Sequence, residues 1–151
     1  MNNITIIGTE PPCPRCGLLR NIILAKIDQY KIITEFKHLS YLDKESIKFA
    51  ESIGLEAGTA KDVAKKLNLE INSEELSTRL KFKSESLNPE YEQYNNCNWS
   101  FELDEFLRPY ENKATDVGIL MTPVLIINGK LMHQGSVPKM EKIEEWLSSL
   151  Y

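Results

Sequence analysis

Hydrophobic and polar positions alternate between two periods along this chain. "ITII" (Ile4 to Ile7) is a short, mostly β-branched run closed by Gly8, and it predicts a strand buried on both faces, as in a parallel sheet. "GTEPPCP" is too rich in Gly and Pro for anything but a loop, and a helix should open near Pro14, since proline suits the first helical position. Leu18, Leu19, Ile22, Ile23, Ala25 and Ile27 then form a broad apolar face. "KIITEFKHL" predicts a second strand over Ile32 to Lys37, which completes a β-α-β unit. Near the other end, Val124 to Ile127 and Lys130 to His133 are strand-like runs joined at Asn128-Gly129, a strong hairpin signal. A last helix should start from a Ser136 cap with Pro138 in its first turn, carrying Ile143, Trp146, Leu147 and Leu150.

Between these ends, residues 40–115 read as a helical insertion. Thr59 is an N-cap candidate with Asp62 three residues on, and Ala60, Val63, Ala64 and Leu67 follow at helical spacing. Ser73, Asn88-Pro89 and Ser100 suggest further helix starts, with Leu76 and Leu80, Tyr91 and Tyr94, and Leu103, Phe106, Leu107 and Tyr110 as their apolar positions. Pro109 should disturb the last of these near its end. The stretch from Thr59 to Lys81 resembles an amphipathic helical pair; a DNA-binding reading would need a basic recognition surface that its acid-rich surroundings do not supply. The whole is one α/β domain over residues 1–151, in the order β-α-β, helical insertion, β-β-α.

Charge and composition narrow the function classes. The chain has 151 residues and a net charge of -4, which argues against a nucleic-acid binder. The stretch from Ser40 to Lys113 holds 10 Lys/Arg against 15 Asp/Glu, so the acidity lies in the insertion. No apolar run is long enough to span a bilayer, and "MNNITIIGTE" lacks a basic, then apolar, secretory pattern. The expectation is a cytoplasmic protein with no membrane partner. In that reducing setting a C-x-x-C pair points to catalysis or metal binding before a structural staple.

The candidate chemistry is "PPCPRCGLL", with Cys13 and Cys16 around Pro14 and Arg15. Positions i and i+3 in the first turn of a helix share a face. The first thiol meets unpaired N–H groups and the positive end of the helix dipole, which lower a thiol pKa. Cys13 is thus the candidate nucleophile and Cys16 the resolving thiol, with Arg15 adding local positive charge. The same spacing supplies half of many zinc sites, but only Cys97, His38 and His133 remain as single, scattered ligands beyond carboxylates, so no metal and no cofactor is expected. Cys97, beside Trp99, reads as a packed residue, and His38 and His133 read as surface or packing histidines at strand ends.

An N-terminal strand, C-x-x-C at a helix start, a second strand, and Thr-Pro leading into a hairpin and terminal helix resemble the thioredoxin/glutaredoxin superfamily. "GILMTPVLIINGKLMHQGSVPKMEKIEEWL" is similar to the end of small archaeal and bacterial redox-active disulfide proteins. The resemblance covers Ile4 to Lys37 and Asp116 to Leu150 and excludes the insertion. It implies thiol–disulfide exchange on protein or low-molecular-weight disulfides, with a separate reductant. It also implies a cis Thr122-Pro123 bond beside the cysteines, where the Thr122 backbone stays open to an extended substrate. Pro14, Arg15, Thr122 and Pro123 are then the substrate-binding residues. C-P-x-C as in glutaredoxins makes glutathione a possible partner, although Gly135-Ser136 only partly matches their glutathione-binding Gly-Gly. Many thioredoxins carry a buried acid on the first strand; here Ile6 and Ile7 stand there, and Glu10 is the nearest upstream carboxylate. In disulfide-forming relatives a helical insertion caps the active site. The rival reading is a non-catalytic thioredoxin-like binding or redox-sensing module that captures a partner or a soft metal.

Overall fold

The computed structural model describes residues 2–9, 13–71, 74, 89–95, 99 and 101–151. The expected caps Ser73, Asn88 and Ser100, the apolar pair Leu76 and Leu80, and Cys97 lie outside them. Strand β1 (Asn2–Gly8) leads into α1 (Pro14–Gln29) and β2 (Thr34–Ser40). Then come α2 (Lys44–Ser52), β3 (Glu56–Gly58), α3 (Ala60–Lys66), α4 (Pro89–Glu92) and α5 (Phe101–Lys113). A 3-10 turn (Thr115–Val117) precedes β4 (Ile119–Met121), β5 (Val124–Ile127), β6 (Lys130–Gln134) and α6 (Met140–Ser148).

The main sheet runs β2-β1-β5-β6. Strand β1 is parallel to β2 and antiparallel to β5, so the fully parallel environment expected for "ITII" is in fact a mixed sheet. Both faces of β1 are nonetheless buried, as its unbroken apolar run requires. Ile4 and Ile6 join Leu125 and Ile127 of β5 in a core with Leu18, Leu19, Ile22 and Ile23 of α1 and Ile143 and Leu147 of α6. Ile7, Val124 and Ile126 face the other way, onto Ala50 of α2 and Leu120 of β4. The sheet therefore lies between two helical layers, an α/β architecture of the thioredoxin-like kind. Each fully buried isoleucine contributes about 1.5–3 kcal/mol. The β5–β6 hairpin turns at Asn128 and Gly129, both at positive φ (50° and 78°), as the Asn-Gly signal predicts.

The segment from 40 to 115 is not wholly helical. Its β3 pairs in parallel with β4 as a second, two-stranded sheet, Ala57 opposite Leu120. Helix α3 starts at Thr59 as predicted, with Asp62 accepting from the Thr59 backbone N–H at 2.8 Å. Pro109 sits inside α5, which continues to Lys113.

Helix α6 begins three residues later than the Ser136 cap predicts, with Lys139 at the N-cap. The reason is that the intervening groups have other partners. Ser136 Oγ bonds to His133 Nε2 at 2.9 Å, and the Val137 N–H donates to Asp104 at 3.2 Å. The first turn is closed instead by the Tyr91 hydroxyl, which accepts from Met140 N at 2.8 Å and donates to the Pro138 carbonyl.

Candidate functional site

Cys13 is the N-cap of α1, and Pro14 opens the helix. Its backbone is extended, and its N–H donates to Thr9 Oγ1 at 2.8 Å, which fixes the loop end of the motif. The Cys13 Sγ accepts from the Cys16 N–H at 3.4 Å and lies 3.0 Å from the Cys16 Sγ. Both thiols are free; Cys13 is half-buried and Cys16 fully buried.

This geometry splits the two acidities. The hydrogen bond from the Cys16 thiol brings Cys13 down to about 6 against the opposing effect of burial, with further help from the Cys16 N–H and the Arg15 charge. Holding that proton, and being buried, pushes the Cys16 thiol up. At neutral pH the pair is a thiolate at the helix terminus and a thiol one turn deeper, as the i, i+3 spacing suggested.

Arg15, expected to add local positive charge beside Cys13, is itself paired within the fold. It is 5% exposed, and its Nε donates to Asp104 Oδ1 of α5 at 2.7 Å. Asp104 also accepts from Trp99 Nε1 at 3.0 Å and from Val137 N. The cation in the motif is thus largely neutralised by a carboxylate 89 residues away, and its effect on Cys13 ranks below the Cys16 hydrogen bonds.

A cavity of about 420 Å³ opens over Cys13. Thr9, Pro14 and Arg15 line one side; Thr59, Ala60, Leu103 and Leu107 line the other. Thr122 closes it near β5, and the Thr122–Pro123 peptide is cis. The structure therefore gathers Cys13, Pro14, Arg15 and Thr122 around one space. One detail departs from expectation: the Thr122 N–H donates to the Gly58 carbonyl of β3 at 2.9 Å, so that amide is used within the fold.

His38 is the residue whose place the sequence did not reveal. Strand alternation puts it on the face of Phe36, which packs against the α1 core. A Cβ built on Gly8 would lie 2.9 Å from Cys16 Sγ and 3.3 Å from His38 Nε2. A side chain at position 8 would crowd both the sulfur and the ring, so glycine leaves room for them. His133 is half-buried beside Ser136 and Trp146. Among the described residues no cluster of His, Cys, Asp and Glu could hold a metal ion, and no helix is long and apolar enough to cross a membrane.

Residues 92–148 match the family model of a thioredoxin domain. The matched segment runs from the end of α4 through α6 and contains Thr122-Pro123, while Cys13 and Cys16 lie outside it. A search of curated proteins finds no match. The matched segment and the sheet between helical layers together support a thioredoxin-like superfamily assignment for this chain.

Proposed function

We propose that this protein is a thiol–disulfide oxidoreductase that works through its Cys13–Cys16 dithiol. The observation that carries the reading is a helix-capping thiol 3.0 Å from a buried second thiol and facing a cavity. The Cys13 thiolate attacks one sulfur of a substrate disulfide, and the other sulfur leaves as a thiolate. Cys16 then attacks Cys13 in the mixed disulfide, which releases the second substrate thiol and leaves a Cys13–Cys16 disulfide. Two electrons pass to the substrate; an external dithiol or glutathione returns them in the next cycle. Pro14 and Thr122 shape the cavity in which the substrate disulfide is held, and Arg15 keeps its wall in place through Asp104. The chemistry needs no cofactor. Cysteine usage favours a cytoplasmic, reducing setting for such a dithiol.

The test is catalytic reduction of a model protein disulfide with dithiothreitol as the electron source. The wild type is expected to turn over, and Cys13→Ser to lose all activity above background. Equal rates for the two proteins would overturn the proposal and leave a binding module.

A further inference from the structure

We infer that His38 accepts the Cys16 proton in the resolving step. The inference rests on the exchange reaction proposed above and assigns one of its protons. Cys16 cannot attack until it becomes a thiolate, yet it is fully buried and donates its proton to Cys13 in the reduced state. Once Cys13 is tied up in a mixed disulfide, it is no longer an anion that can receive that proton. Some other group must take it in a place that bulk water does not reach.

The point above Gly8 is flanked by Cys16 Sγ at 2.9 Å and by His38 Nε2 at 3.3 Å. Those two lengths bound the sulfur-to-nitrogen separation at about 6 Å, within reach through one bridging water. Both His38 ring nitrogens are shielded from solvent. A neutral imidazole carries one nitrogen lone pair that accepts a proton, and the N–H so formed can give it back. Facing His38, β1 presents only Ile6 and Gly8. The first turns of α1 bring Cys13 and Cys16, and Arg20 a turn on is exposed. In the four residues between Gly8 and Cys13, Glu10 is the sole ionisable side chain.

The step balances as follows. The Cys16 S–H proton moves to His38, and the Cys16 thiolate attacks the Cys13 sulfur. The bond from Cys13 to the substrate sulfur breaks as the Cys13–Cys16 bond forms. The substrate thiolate departs with the electron pair, and the imidazolium returns its proton to it or to water.

Ellman's reagent separates the two halves of the reaction. In a Cys97→Ser background, which removes the third thiol, the first coloured thiolate released reports attack by Cys13, and the second reports resolution by Cys16, both by stopped flow. In His38→Gln the second phase is expected to slow by roughly 10²-fold at neutral pH, with the first phase unchanged. The deficit should shrink as pH rises, because hydroxide takes over the proton transfer. The unchanged first phase certifies that the site is folded. A second phase unaltered in His38→Gln, or one slowed equally with the first, would overturn the inference, as would a slowed second phase in Glu10→Gln with His38→Gln normal. A wild type that releases only one thiolate equivalent would instead count against the oxidoreductase reading itself.

Discussion

At the scale of single residues, reactivity is decided by hydrogen bonds made to one sulfur. The Cys16 thiol is the largest influence on Cys13, ahead of the backbone and of Arg15. Alkylation of Cys13 by iodoacetamide, followed against pH, is therefore expected to show a midpoint near 6. In Cys16→Ala that midpoint should climb towards the ordinary thiol range of about 8.5. The sign of the linkage follows. A thiol whose pKa is depressed on folding adds stability that is present above its unfolded pKa and is lost as pH falls through the folded one, so the Cys13 contribution fades as pH drops towards 6. Asp104 is the second decisive residue, since it takes three donors from three parts of the chain. Asp104→Ala strands the buried Arg15 charge and should destabilise the protein by about 3–5 kcal/mol in urea unfolding.

At the scale of elements, local signals account for some features and long-range partners for others. The α1 start, the Asn128-Gly129 hairpin and the Thr59–Asp62 cap were legible because each rests on residues at most three positions apart. Asp62→Ala should cost about 0.5–2 kcal/mol, measured the same way, as the loss of a helix cap. The β3–β4 pair was not legible, because three residues such as Glu56-Ala57-Gly58 carry no periodicity and no strand-forming side chain. The late start of α6 was hidden for a different reason. Ser136 is a good cap by type, but His133 claims its hydroxyl, and Tyr91, far away in sequence, closes the first turn. The burial of Arg15 and the place of His38 were hidden likewise, since each depends on an element brought in by the fold. Gly8 shows the reverse: its residue type now has a reason, and Gly8→Ala should push a methyl against Cys16 Sγ and hinder resolution more than attack.

At the scale of the whole molecule, the β-α-β unit supplies the thiols, the segment around Thr122-Pro123 closes the site, and α3 and α5 roof the cavity. The lining from α3 and α5 is apolar at Ala60, Leu103 and Leu107, with Lys61 as its charged member. Replacing Ala60 by Phe should raise KM for a protein disulfide and leave kcat unchanged, which steady-state kinetics would show.

The central claim is that Cys13 and Cys16 form a reversible two-electron couple. Equilibration in glutathione redox buffers, followed by alkylation and mass analysis of the peptides, measures it directly. The account predicts that both thiols vanish together across the series, with a midpoint between about -270 mV for a reductant and about -120 mV for an oxidant. Thiols at Cys13 and Cys16 that stay alkylatable at every buffer composition, or that vanish only as separate glutathione adducts, would contradict it.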